Sequence, residues 1–180
     1  MRGYFSIGIE GVNKGGNMGN LIRTAHGFGA AFAFSINPQI VYTKRTGTDT
    51  SKAAKAIPYY EFNSLEELVL PKGCQIVGIE LTEEAVDLPS FKHPLNAAYI
   101  LGSERFSLSD DLIKNCDHVI KIPTKFCLNV ATAGAIVMYD RSLVHGRYPG
   151  RAVSTFGEME PLEKHVRGGP KQRKLAKKNT

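Results

Sequence analysis

Residues 97–122 read AAYILGSERFSLSDDLIKNCDHVIKI. Ala97–Leu101 is a short unbroken apolar run closed by Gly102, which reads as a buried strand. Ser109 stands in a cap position and opens a helix that ends near Cys116. His118–Ile122 is a second strand, stopped by Pro123. A strand, a helix and another strand in close succession form the unit from which parallel sheets are built.

The same alternation extends in both directions. Tyr4–Gly11 reads as a strand. Asn17–Phe28 reads as a helix, with Leu21, Ile22, Ala25 and Phe28 on one face and Gly29 as its end signal. Ala30–Ile36 is a buried strand, and residues 37–56 are loop-like. Ser64 with Glu67 has the capping-box spacing, which predicts a short helix carrying Leu68 and Leu70. Cys74–Leu81 is the next strand, and Leu128 to about His145 is the longest helical pattern. No internal repeat is present. The pattern predicts the α/β class, with a mostly parallel sheet flanked by helices. Ligands of such sheets sit at the carboxyl ends of the strands. The loops after Gly11, Leu81, Leu101 and Ile122 are therefore the places where a site is expected.

The chain has 180 residues, 42% hydrophobic and 22% charged, so wholesale disorder, collagen-like repetition and coiled coil are excluded. No apolar run approaches the ~20 residues of a membrane-spanning helix. The longest candidate, Leu128–Tyr139, is too short and contains Asn129, Thr132 and Gly134. No secretory leader is read in the first residues. The three cysteines, Cys74, Cys116 and Cys127, are odd in number and widely spaced, with no CxxC pair. The expectation is a reduced, cytoplasmic compartment and no metal site.

Net charge is +6, and its placement matters more than its size. Residues 164–180 carry seven basic side chains and no acidic one, so the rest of the chain is close to neutral. The division expected is a compact domain over 1–150 and a basic, flexible tail over 151–180. Lys171, Arg173 and Lys174 of the tail suit a polyanion such as RNA, as do Lys44 and Arg45 in a Thr/Ser/Gly-rich loop that also holds Lys52 and Lys55.

Three segments carry the candidate chemistry. The first, Asn13–Gly29 (NKGGNMGNLIRTAHGFG), is glycine-rich between a strand and a helix. It matches neither the Walker pattern nor GxGxxG. What remains is Asn17, Gly19, Asn20 and Arg23 at a helix start. Asn17 and Arg23 are separated by about 120° of helical azimuth, so they share a face only if Asn17 lies in the cap. In the second, Tyr99–Leu112, Gly102 stands where backbone must come close to a ligand, and Glu104 stands at the strand's carboxyl end. In the third, Ile122–Arg141, Asn129 begins a helix whose Ala131, Ala133, Gly134 and Ala135 permit close packing.

Taken together, in order and in residue type, these segments resemble the three motifs of the SpoU family of RNA methyltransferases, within the SPOUT superfamily. The correspondences are Asn17, Gly19, Asn20 and Arg23 with Ala25 and Phe28-Gly29, then Leu101–Glu104, then Ile122-Pro123 with Leu128-Asn129-Val130. The resemblance spans roughly residues 5–145. It implies a C-terminal trefoil knot, an S-adenosylmethionine pocket within the knot, and a homodimer. It also implies methyl transfer to a ribose 2′-hydroxyl of tRNA or rRNA. The cofactor residues implied are Ile79, Glu80, Leu101, Gly102, Ile122, Cys127 and Leu128. Arg23 would place a phosphate and stabilise developing alkoxide charge, with Asn17, Glu104 and Asn129 orienting the reacting groups and Asn20 touching RNA. The alternatives are a knotted methyltransferase acting on an RNA base and a non-catalytic RNA-binding protein of the same fold. The second is motivated by Arg105, Ser107 and Cys127, which depart from the family pattern.

Overall fold

In the computed structural model, residues 3–40, 57–103, 106–146 and 148 are described. Their elements run β1 (Tyr4–Glu10), α1 (Gly15–Phe28), β2 (Phe32–Ile36), β3 (Tyr59–Phe62), β4 (Gln75–Ile79) and β5 (Val86–Asp87). A single 3-10 turn (Leu88–Ser90) follows, then β6 (Asn96–Leu101), α2 (Asp110–Asn115), β7 (His118–Lys121) and α3 (Val130–His145). All belong to one compact unit, Met1–Tyr148.

The strands form one sheet in the order β3-β2-β1-β6-β4-β7-β5. Every pairing is parallel, which sharpens the expectation of a mostly parallel sheet. The carboxyl ends of β1, β4, β6 and β7 consequently share one edge. Strand β6 lies between β1 and β4, pairing Ile7 with Tyr99 and Val77 with the same Tyr99. Its central place explains its near-continuous apolar sequence, since both its faces are covered.

Successive residues of a strand point to opposite faces. Ala97, Tyr99 and Leu101 join Phe5, Ile7 and Ile9 in a core closed by Leu21, Ile22 and Ala25 of α1 and Val137 of α3. Ala98 and Ile100 join Phe34, Leu108 and Leu112 on the other face. Gly8 makes room there for the Phe34 ring, which would lie 2.5 Å from an added Cβ. Gly134 lets α3 settle on the first face, because a Cβ there would come within 2.4 Å of Leu21 and 3.3 Å of Ile7. The small residues of α3 thus serve packing within the chain.

Two local expectations fail. The segment opened by Ser64 is not a helix: residues 63–67 form bends and a turn. The Glu67 carboxylate does reach back, but it accepts from the Asn63 backbone N–H at 2.8 Å and the Asn63 side chain at 3.0 Å. Pro71 follows too soon for a helix to propagate beyond that turn. Second, α1 begins at Gly15, with Lys14 as its cap residue, so Asn17 already lies inside the helix. Asn17 and Arg23 therefore occupy different faces of α1.

Candidate active site

The carboxyl ends of β4, β6 and β7 enclose a cavity of about 410 Å³, a size ordinary for a small-molecule site. Its wall contains Ile79, Glu80, Leu101, Gly102, Ile122, Cys127 and Leu128, all seven of the residues implied for the cofactor, together with Asn129. Ser103 of the second motif and Phe106 also line it, as do Lys121 and Thr124, which were not singled out from sequence. Lys121 was legible only as one residue of the strand read over His118–Ile122.

Each wall segment is held by a specific contact. Glu80 accepts from the Leu108 N–H at 2.8 Å and from its neighbour Leu81 at 3.0 Å, so its carboxylate ties the β6–α2 loop to the end of β4. Lys121 donates to the carbonyls of Thr82 at 2.9 Å and Glu83 at 3.0 Å, fixing the loop after β4. Ser109 caps α2 by accepting from the Leu112 N–H at 3.2 Å. The same Ser109 donates its N–H and its hydroxyl to Glu10, at 2.8 and 2.6 Å, which joins α2 to the end of β1.

Gly102 lines the cavity and also meets a second constraint. A Cβ at 102 would meet the Phe106 carbonyl at 2.7 Å and the Leu108 nitrogen at 3.0 Å. Its close neighbour is the chain's own returning loop. A local sequence pattern shows that a glycine is needed but does not reveal which backbone presses on it.

Asn129 caps α3, accepting from the N–H groups of Ala131 at 3.0 Å and Thr132 at 3.4 Å. Its amide nitrogen donates to the Asn17 side-chain oxygen at 3.1 Å. The first and third sequence segments thus meet directly at the cavity wall. Arg23 and Asn20 are exposed on α1 and do not line the cavity. Glu104, Lys44, Arg45, Lys171, Arg173 and Lys174 lie outside the described residues.

The wall mixes apolar side chains with polar groups and with charges of both signs, Glu80 and Lys121. Ser103 has a buried hydroxyl with no hydrogen-bond partner, and Glu80 supplies negative charge beside the apolar Ile79, Leu101 and Leu128. Among the described residues, no group of three or more His, Cys, Asp or Glu side chains could hold a metal ion. No helix among them is long and apolar enough to cross a membrane.

An all-parallel α/β sheet with a ligand-sized cavity at its carboxyl edge, walled by the end of β4 and by the second and third sequence segments, defines a ligand-binding α/β domain. Residues 4–139 match the SpoU rRNA Methylase family, and the chain belongs to it. It is 28% identical over 138 residues to tRNA (guanosine(18)-2'-O)-methyltransferase TARBP1 of Mus musculus, covering 72% of this chain and 9% of the mouse protein. It is 23% identical over 137 residues to tRNA (guanosine(18)-2'-O)-methyltransferase of Thermus thermophilus, covering 73% of this chain and 71% of that one. The fold is also that of the SpoU methyltransferase AviRb from Streptomyces viridochromogenes, solved in complex with the cofactor AdoMet. There the TM-score is 0.71 at 20% identity, over 81% of this chain and 63% of AviRb.

Proposed function

We propose that this protein transfers the methyl group of S-adenosylmethionine to a ribose 2′-hydroxyl of tRNA or rRNA. The observation that carries the reading is the Asn129–Asn17 hydrogen bond, which joins the first family motif to the third at the cavity wall. Family membership and the names of the mouse and Thermus relatives support RNA as substrate. The AviRb complex supports the cofactor.

In this reading Ile79, Leu101, Ile122, Cys127 and Leu128 hold the cofactor, with backbone groups at Gly102. Glu80 adds a negative charge that favours a cationic ligand. The bound cofactor supplies a methyl carbon on a sulfonium, already an activated leaving group, so the protein's work is positioning. Arg23 holds the adjacent phosphate and stabilises negative charge as the ribose oxygen becomes nucleophilic. Asn129 and Asn17 keep the motif-three loop in register beside it, and Glu104 orients the ribose. Asn20, Lys44, Arg45, Lys171, Arg173 and Lys174 contact RNA.

The working unit in this reading is a knotted homodimer in which Arg23 serves the neighbouring subunit's cavity. The exposure of Arg23 away from its own cavity supports this arrangement. The three free cysteines support a reducing, cytoplasmic setting.

The test is Arg23→Ala. Transfer of labelled methyl to RNA is expected to fall by about 10²–10³-fold, with S-adenosylmethionine affinity by calorimetry unchanged. Full activity in the variant overturns the assignment. Digestion of the methylated RNA must yield a 2′-O-methyl nucleoside, and a base-methylated nucleoside would replace this reading with its nearest alternative.

A further inference from the structure

Phe106 and Phe126 are 67% and 74% exposed, and they sit on the two loops that line the cavity. Phe106 belongs to the wall itself, whereas Phe126 stands between the wall residues Thr124 and Cys127. A phenylalanine left in water forgoes the burial that would stabilise the fold, so two at one cavity mouth call for an occupant.

Phe126 is not on a loose end. The Thr124 hydroxyl donates to the Phe126 carbonyl at 2.9 Å, and the Thr124 N–H donates to the Ile122 carbonyl at 2.7 Å. Downstream, the loop runs directly into the Asn129 cap of α3. The backbone is thus fixed while the ring faces solvent. Lys125, immediately before it, is also exposed. An aromatic face beside a cation, held on a rigid loop, matches the chemistry of an unpaired nucleotide: a base to stack and a phosphate to neutralise.

We infer that Phe126, with Lys125, is the platform on which an unpaired RNA base stacks at the cavity mouth, positioning the strand for the reaction. The inference rests on the RNA-methyltransferase reading and adds the residues that seat the substrate. A stacked base beside the cavity fixes the register of the strand. A lysine on phosphate adds affinity that falls with salt. Phe126 is a positioning residue here, since it acts on the neighbouring nucleotide and not on the reacting atoms.

The experiment uses the full chain saturated with S-adenosylhomocysteine and two fluorescent probes: a 12-mer oligoadenylate RNA and the same backbone with abasic residues. Wild-type protein is expected to prefer the base-bearing probe. Phe126→Ala is expected to weaken that binding roughly 5- to 100-fold and to remove most of the preference. Phe126→Trp should retain it, and Phe126→Leu should behave like the alanine variant. Lys125→Ala should weaken both probes alike and reduce the salt slope. S-adenosylmethionine affinity and subunit mass in solution should not change in any variant.

Several results overturn the inference: no binding or no base preference in wild type, equal binding by Phe126→Ala, or full retention by Phe126→Leu. A parallel loss of cofactor affinity, or a change of subunit mass, overturns it by assigning the ring to the cofactor or to a protein contact. Methyl transfer separates the two levels. Wild-type transfer with an indifferent Phe126 sinks only the platform. A Phe126-dependent base preference with no transfer to any RNA sinks only the enzymatic reading.

Discussion

The two ends of the sheet are built on opposite principles. At the carboxyl edge, loops enclose a cavity with an unpartnered Ser103 hydroxyl and two exposed phenylalanine rings at its mouth. At the amino edge, Arg141 is only 1% exposed, and both terminal nitrogens of its guanidinium are held by the protein. It donates to the carbonyls of Pro94, Leu95 and Tyr4 and to the Tyr99 hydroxyl. Its cation also lies 5.3 Å from the centre of the Phe5 ring.

The network continues outward from Arg141. Burial pushes Tyr99 up to about 12, so its hydroxyl keeps its proton and donates to His93 Nδ1 at 2.6 Å. His93 Nε2 in turn donates to Asp140 at 2.9 Å. Burial pushes the His93 imidazole below its usual value, more strongly than Asp140 pulls it up. At neutral pH it is therefore a neutral ring whose tautomer is fixed by its two partners. The lesson is a division of labour: at one end a buried cation knits separate strands and loops together, while at the other the loops stand apart around a cavity.

The strongest way to break this contrast is Arg141→Met. Removing the guanidinium leaves several buried carbonyls short of donors, and each should cost about 1–3 kcal/mol. Urea unfolding measures the loss. S-adenosylmethionine affinity of the folded fraction should be unchanged, and a coupled loss would show that the two ends are one unit.

A smaller effect is expected from Asn129→Ala at the cavity edge. Loss of the cap should cost about 1 kcal/mol. Because the bond to Asn17 goes too, methyl transfer should fall by more than stability alone explains. If transfer follows stability alone, Asn129 belongs with the structural groups.

The smallest effect is acid sensitivity from His93. Its folded-state pKa is depressed, so the unfolded chain takes up the proton more readily. The stability involved is complete above the usual histidine value of about 6.5 and is lost as pH falls toward the depressed folded value. His145 is shifted the same way by burial and adds to the trend. His93→Asn should flatten this part of the unfolding-against-pH curve. An unchanged slope would mean that the ring is already charged in the folded protein.

Sequence reading recovered most of the sheet because its strands are short, apolar and punctuated: Gly102 after β6, Pro123 after β7, Ser109 before α2. It missed β5, whose two residues Val86 and Asp87 leave no periodic trace. It also missed β3, where exposed Tyr60 and Glu61 weaken the pattern. The Ser64 helix was a false signal, since a capping spacing marks a start without ensuring that anything propagates. At the site, the second and third motifs supply wall residues, and the Asn17–Asn129 contact that brings in the first followed from none of them singly. The Arg141 network was invisible for a related reason. Nothing local marks a helical arginine as buried when its acceptors are carbonyls 46 and 137 residues away in the chain.

The Asn129–Asn17 hydrogen bond joins positions 112 apart in sequence. During synthesis, the Asn129 side of that cavity wall is missing until α3 has emerged and docked. A ribosome-bound fragment ending before α3 would carry Arg23 but lack the wall residues Val130 and Ala133 and the helix that Asn129 caps. The cavity is therefore completed late, by a contact of high sequence separation that only the docked helix can make.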